Sequence, residues 1–333
     1  MQSNRVTHKQ GMWSFKRRQP SSSLDAATQN TNGSLASQAN PGFVRAWYPL
    51  EMLRSTDSGT AFRPSRQKGQ SFLKDRAVVS RIVSAIKVAP EDTLLEIGAG
   101  SGEMTLPLAQ SRPARIIAIE QETVLAERLR RALAAENSVA WDVIEGDFLS
   151  LELSTLLAEH SGQSIRVVGN LPYSAASPIL LKLLAERRSF IDLTLMFQLE
   201  VAERLVAQPA TKAYGFLSVM TQQATRPKIL FHIPPDAFRP RPKVYSALVR
   251  LDPRGKDELL VKEPEVFEAI VKSLLAHRRK NISNNIKYLK SSVLDQDTLR
   301  SGLEHLEIEP SRRAETLTVD QFAALAEFCT SRQ

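Results

Sequence analysis

From residue 75 onward, short apolar runs alternate with segments whose apolar positions recur at helical spacing. RAVVSRIVSAI (76–86) predicts a helix, and DTLLEIG (92–98) a strand that ends in glycine. The segment after it reads as a helix with Pro107 tolerated in an early turn. RIIAIE (115–120) predicts a second strand and TVLAERLRRALAAE (123–136) an amphipathic helix. SVAWDVIEGD (138–147) is a third strand with its end, and SIRVVGN (164–170) a fourth. SPILLKLLAERR (177–188) predicts a helix with Ser177 as N-cap and Pro178 at the first helical position. DLTLMFQ (192–198) is a fifth strand. Strands alternating with helices predict an α/β fold, a parallel sheet covered on both faces. KILFHI (228–233) and VYSALVRL (244–251) read as a closing antiparallel pair, and beyond residue 255 only helical patterns remain. Residues 1–60 show no sustained periodicity and are rich in Ser, Asn, Gln and Thr, which predicts a disordered extension. The reading is thus an extension over 1–60, an α/β domain over 61–253 and a small all-helical domain over 254–333.

Composition narrows the classes. No apolar run in the 333 residues approaches 18, so no membrane-spanning helix is expected. The single cysteine, Cys329, excludes an internal disulfide framework and a cysteine-cluster zinc site, and no metal is expected. The N-terminus has no apolar core of a secretory signal. Its acid-poor, basic character leaves three readings open: a disordered tail, an organellar transit peptide, or a start at Met52. The expected compartment is the cytoplasm, with mitochondrion or plastid as the alternative. The net charge of +8 is unevenly placed: residues 1–50 carry +5, 54–87 carry +6, 226–256 carry +6 and 277–290 carry +5. Those stretches sum to +22, so the remainder is an acidic body of −14. Segregated basic segments suit a phosphate backbone better than diffuse charge does, although each alone also reads as a solvated face.

Chemistry enters with Glu96-Ile97-Gly98-Ala99-Gly100-Ser101-Gly102, which follows the first strand of the alternating region and opens a helix. Glycines there permit a tight turn and close ligand approach. A dinucleotide fingerprint wants its third glycine five positions after the first, where this chain has Glu103. The spacing instead resembles the E-x-G-x-G-x-G loop of S-adenosylmethionine-dependent methyltransferases. Glu120 ends the second strand, where an acid accepts hydrogen bonds from ribose hydroxyls; an exposed strand-end Glu is the plainer reading. Asp147 ends the third strand, where a carboxylate can accept from an adenine amino group with Phe148 beside the ring. Ligands of open α/β sheets bind at the carboxyl ends of strands, so these features share one rim.

Asn170-Leu171-Pro172-Tyr173 at the end of the fourth strand is the most specific motif. An adenine N6 is a poor nucleophile because its lone pair is delocalised into the ring. The Asn170 side-chain carbonyl and the Leu171 backbone carbonyl can accept from its protons, and Tyr173 offers a stacking face. An ordinary Asn-Pro turn is the competing reading.

With these motifs in order, the chain resembles the KsgA-type family of small-subunit rRNA adenine N6,N6-dimethyltransferases from about residue 66 to 328. Gly69-Gln70-Ser71-Phe72-Leu73 resembles the family's opening, and LVAQPATKAYGFLSVM (205–220) a family-specific segment. Phe238-Arg239-Pro240-Arg241-Pro242-Lys243-Val244-Tyr245-Ser246 resembles F-x-P-x-P-K-V-x-S, His277-Arg278-Arg279-Lys280 the (Q)RRK segment, and Arg313-Ala314-Glu315 the RAE segment.

The resemblance implies a Rossmann-like class I methyltransferase sheet. It implies S-adenosyl-L-methionine at Ser71, Leu73, Gly98, Gly100, Glu120, Gln121, Asp147, Phe148 and Asn170. It further implies catalysis by Asn170, Leu171, Pro172 and Tyr173, with Phe238 as a second aromatic wall opposite Tyr173. RNA contacts fall on Arg239, Arg241, Lys243, Arg278, Arg279 and Lys280. The implied substrate is two adjacent adenosines in the 3′-terminal hairpin loop of 16S rRNA, within the immature 30S subunit. The chain would act as a monomer without a membrane.

The sequence departs from the family pattern at three motif positions, and its 1–60 extension has no counterpart in the compact bacterial members. Ser71 stands where the family usually has Asn or His, Ser174 where bacterial members often have Asn, and Arg241 in place of a common Pro. The alternatives are an Erm-type 23S rRNA methyltransferase, which usually reads NIPY, and a mitochondrial relative acting as a non-catalytic nucleic-acid-binding factor. Intact motifs speak against the latter. A DNA adenine methyltransferase is disfavoured by the missing DPPY-type acid.

Overall fold

A computed structural model describes residues 69–136, 139–255, 261 and 263–332; the expected extension over 1–60 lies outside them. Helix α1 (Arg76–Ile86) starts at Asp75, whose side chain accepts from the Ala77 and Val78 amides, and it buries Val79, Ile82 and Ile86. Strands β2 (Asp92–Ile97), β3 (Arg115–Glu120), β4 (Ala140–Glu145), β5 (Ser164–Asn170) and β6 (Asp192–Gln198) follow, separated by α2 (Thr105–Gln110), α3 (Thr123–Glu136), α4 (Leu153–Glu159) and α5 (Ala176–Ala185). The five strands are parallel in the order β4-β3-β2-β5-β6. Every residue of β2 is buried, as a central parallel strand covered on both faces requires.

After α6 (Leu199–Leu205) and α7 (Phe216–Ala224), β7 (Thr225–Ile233) and β9 (Ser246–Pro253) pair antiparallel, and β9 inserts between β6 and β7. Pro227 sits on β7, the edge strand, where a missing amide is tolerated. Between them lies β8 (Phe238–Arg239), which pairs antiparallel with β1 (Phe72–Leu73): Phe72 faces Arg239 and Leu73 faces Phe238. Helices α8 (Pro264–Leu274), α9 (Ile282–Ile286), α10 (Gln296–His305) and α11 (Val319–Thr330) form the C-terminal helical region. Their core takes in Ala207, Tyr214 and Val219, so packing crosses residue 254. No helix among the described residues is long and apolar enough to cross a membrane.

One boundary differs from expectation. Helix α5 begins at Ala176, with Ala175 at its cap, and Ser177 and Pro178 lie inside the first turn. The Ala175 amide donates to the Pro172 carbonyl at 2.9 Å, so the turn after β5 already winds the chain toward the helix before Ser177 is reached.

Candidate active site

The carboxyl ends of β2 to β5 open on a cleft of about 320 Å³. Gly98, Gly100 and Gly102 adopt φ of 71°, 61° and 100°, a region that favours glycine. A Cβ at Gly98 would stand 3.4 Å from the Asn170 carbonyl oxygen, so the gap between the two motifs is free of any side chain from the loop. Glu120 is 6% exposed, and both its oxygens are fixed. Oε2 accepts from the Gly100 amide at 2.8 Å and Oε1 from the Glu122 amide at 2.9 Å. Burial raises its pKa against the lowering effect of those amides. Asp147 Oδ1 accepts from the Leu149 amide at 3.0 Å, and Phe148 lies buried on the cleft wall.

Asn170 donates from Nδ2 to the Ser71 carbonyl at 2.8 Å. That commits the amide nitrogen and leaves Oδ1 as the acceptor for a ligand in the cleft. The Tyr173 hydroxyl lies 2.8 Å from Ser246 Oγ, and Ser246 is fully buried. Burial raises the Tyr173 pKa against the lowering effect of the Ser246 hydrogen bond. The strap of residues 69–73 lies over Asn170–Tyr173: a Cβ at Gly69, whose φ is 66°, would meet the Tyr173 and Ser174 amide nitrogens at 3.1 Å. The strap is tied down elsewhere as well. Ser71 Oγ donates to the Pro240 carbonyl at 2.7 Å, and Gln70 Nε2 donates to Glu122 Oε1 at 3.2 Å.

The structure brings Ser71, Gly98, Glu120, Gln121, Asp147, Phe148, Asn170, Leu171, Pro172 and Tyr173 onto this one cleft. Three expected residues stand off it. Gly100 acts through its amide on Glu120. Leu73 and Phe238 are register partners at 4% and 1% exposure, packed in the core beside Ile233 and Leu248. The β1–β8 pairing thus buries Phe238, and it is not among the residues that line the cleft. Ser71 spends its hydroxyl on Pro240 and serves Asn170 through its carbonyl.

Of the expected RNA contacts, Arg239, Arg241 and Lys243 are exposed in the stretch before β9, with Arg241 3.0 Å from Asp236. Arg278 is engaged within the protein. It donates to the Lys212 carbonyl at 2.6 Å and the Thr211 carbonyl at 3.3 Å, and it pairs with Glu315 at 2.9 Å. It clasps the C-terminal helices to the loop before α7, and its side chain remains 42% exposed. Lys280 donates to the Tyr288 hydroxyl at 2.6 Å, and Arg279 is exposed. The sequence reading assigned nothing to Ser246 or Lys182. Lys182 was nevertheless signalled, as the one charged side chain in α5.

Two further carboxylates sit beneath the glycine loop. Burial pushes Glu96 up to about 8 and Glu103 up to about 7. Glu103 Oε2 accepts from the Ser101 amide at 3.0 Å. A carboxylic acid that ionises later in the fold than in the unfolded chain binds more protons when native, so its contribution to stability falls as pH rises from its ordinary value of 4.5 toward about 7. Glu103→Gln removes that dependence. Its melting temperature relative to the unsubstituted chain should rise between pH 6 and pH 8, as read by calorimetry at both values. A difference independent of pH would count against the assignment.

Comparison with known proteins agrees with this geometry. Residues 61–331 match the family described as ribosomal RNA adenine dimethylase. The chain is similar to the ribosomal RNA small subunit methyltransferase A of Geobacter metallireducens, with 39% identity over 80% of this chain and 96% of that one. It is 36% identical to the protein of the same name from Alkaliphilus oremlandii, over 80% of this chain and 91% of that one. Among solved structures it resembles a dimethyladenosine transferase from Plasmodium falciparum in fold. The TM-score is 0.64 at 23% identity, covering 76% of this chain and 95% of that one. It also resembles the 23S rRNA methyltransferase ErmE, with a TM-score of 0.55 at 26% identity, covering 78% of this chain and 99% of that one.

Proposed function

The chain belongs to the ribosomal RNA adenine dimethylase family, and from that premise we propose that it dimethylates the N6 amines of two adjacent adenosines in the 3′-terminal hairpin loop of 16S rRNA. The methyl donor is S-adenosylmethionine, and the substrate is the immature 30S subunit, met by a monomer in the cytoplasm. The observation that carries the reading is the Asn170 amide. Its nitrogen is held by the Ser71 carbonyl, so its oxygen serves the same cleft that Glu120 and Asp147 line.

The residues present suit the donor. Glu120 has its carboxylate aligned by two backbone amides at the place where ribose hydroxyls would donate to it. Asp147 and Phe148 would take the adenine amino group and ring face. When bound, S-adenosylmethionine supplies an electrophilic methyl group on a sulfonium.

The chain then has to make N6 of the target adenine nucleophilic and hold it in line. Asn170 Oδ1 and the Leu171 carbonyl accept the two N6 protons, which favours a tetrahedral nitrogen with its lone pair out of the ring. The Leu171 side chain is 1% exposed, so its backbone is what it offers. Tyr173 gives the ring a stacking face worth about 1–3 kcal/mol. Its hydroxyl is held by Ser246, which fixes the plane of that face. Positioning and electrostatics suffice, and no strongly basic side chain is needed. At the second transfer N6 has one proton left, so one acceptor stays engaged and the site beside the other must admit a methyl group. The target base leaves its stack at a cost of a few kcal/mol, least in a hairpin loop. Arg239, Arg241 and Lys243 would hold the adjoining backbone.

ErmE shares the fold at 26% identity, whereas the small-subunit enzymes reach 39% and 36%. The test is transfer of label from tritiated S-adenosylmethionine to immature small subunits lacking the two dimethyladenosines. Labelled N6,N6-dimethyladenosine in 16S rRNA is expected. Label confined to 23S rRNA, or none on any RNA, overturns the reading.

A further inference from the structure

We propose that Lys182 is the positioning residue for the cofactor side of the cleft, pinning the 147–151 loop against helix α5. This deepens the function proposed above and rests on it. The Lys182 ammonium donates to the Phe148 carbonyl at 2.8 Å, to the Leu149 carbonyl at 2.9 Å and to the Leu151 carbonyl. An ammonium has three protons, and all three are engaged by one short loop. The same ammonium lies 5.2 Å from the centre of the Phe148 ring. Charge-assisted bonds of this kind are stronger than neutral ones, and a tripod of carbonyls fits a compact ammonium better than a planar guanidinium.

The location gives the contact its meaning. The loop begins with Asp147 and Phe148, which line the cleft on the side assigned to the cofactor's adenine. Helix α5 begins two residues after Ser174, and its residue Ile179 also lines the cleft. Ile179 and Lys182 are three apart and so share a helix face. Lys182 therefore joins the wall that would receive the cofactor's adenine to the helix that follows the target-base platform. A solvated lysine is the plain alternative, but Lys182 is the one charge in an element that otherwise reads ASPILL and LLA, and it is partly covered. Without it, Phe148 and the Asp147 carboxylate lose their fixed distance from α5, while Asn170, Tyr173 and the basic stretch before β9 keep their own anchors.

The experiment is calorimetric titration of the full chain with S-adenosylhomocysteine, together with steady-state kinetics on immature small subunits. Lys182→Met should weaken S-adenosylhomocysteine binding about tenfold, the loss of roughly one charge-assisted bond. KM for S-adenosylmethionine should rise in proportion, with KM for the subunit and kcat within twofold. Lys182→Arg, which keeps the charge and the stem, should fall in between, and it decides the matter if Lys182→Met does not fold. Binding of S-adenosylhomocysteine by Lys182→Arg that equals the unsubstituted chain overturns the proposal. So does a Lys182→Met variant that lowers subunit affinity as much as cofactor affinity. If the unsubstituted chain binds no S-adenosylhomocysteine, the cofactor reading itself fails and takes this inference with it. Binding by the unsubstituted chain with unchanged affinity in the variants sinks the inference alone.

Discussion

Asn170→Ala should lower kcat on immature small subunits by at least about 100- to 1,000-fold, the range seen when one preorganised polar contact to a developing charge is removed. KM for the subunit should stay within a few-fold, because the basic side chains proposed to hold the RNA lie elsewhere. A loss shared equally between kcat and kcat/KM marks an interaction made in the transition state. The substitution also releases the Ser71 carbonyl, which now accepts from Nδ2 at 2.8 Å, so a loosened strap is a competing cause. Asn170→Asp separates the two. It keeps an oxygen acceptor for N6 and abolishes donation to Ser71. If acceptance from N6 is the role of Asn170, the Asp variant retains more activity than the Ala variant. Equal loss in both, with restored turnover in neither, assigns Asn170 to holding the strap and overturns its catalytic role. Cofactor affinity, measured in the same preparations, reports how far the strap has moved.

The parallel sheet was legible because burial on both faces writes itself into a strand as an unbroken apolar run. LLEI and IIAI in β2 and β3 could be read no other way once helices stood between them. The rim motifs were legible for a related reason: each lies where such a run stops, at Gly98, Glu120, Asp147 and Asn170, and sheet geometry puts all those ends side by side. What escaped was whatever depends on pairing between distant short segments. β1 and β8 have two residues each, too few to carry a period, yet their pairing buries Leu73 and Phe238. Tertiary context also overrode a sound capping signal at Ser177. Arg278 stood in a basic run and was read as an RNA contact; its protein partners, the carbonyls at 211 and 212 and the carboxylate of Glu315, are connected to it by no local pattern. The Tyr173–Ser246 contact spans 73 residues and was likewise invisible, although both residues lay in motifs already singled out.

Arg166→Met should cost about 3–5 kcal/mol of stability, the penalty for leaving a buried ionic partner uncompensated. Arg166 lies on β5 near the end of the sheet away from the cleft, with its side chain 7% exposed. Its guanidinium donates from Nη1 to Asp92 at 2.8 Å and to the Lys87 carbonyl at 2.8 Å. Nη2 donates to Asp192 at 2.7 Å and to the Ile86 carbonyl at 2.5 Å, and Nε donates to Asp192 at 3.0 Å. One side chain thus neutralises acids on both neighbouring strands and caps the end of α1. Asp92 is 4% exposed and Asp192 fully buried, so neither can recover water when Arg166 is lost. Arg250 still reaches Asp192 at 2.7 Å, whereas Asp92 keeps only a neutral donor, the Ala89 amide at 2.7 Å, so its charge is the more costly one to leave unpaired. Arg166→Lys should rescue little, because a point charge cannot reach two carboxylates and two carbonyls as a planar fork does. At roughly 2–4 °C per kcal/mol for a body of this size, the melting temperature should drop by about 6–20 °C. Below the transition, kcat should stay within about twofold, since the altered contacts lie at the opposite end of the strand from Asn170. A drop smaller than about 2 °C would mean that the two acids find other partners and that the guanidinium is no keystone of the sheet. A fall in kcat at a temperature where the variant is fully folded would mean instead that the far end of β5 sets the position of Asn170.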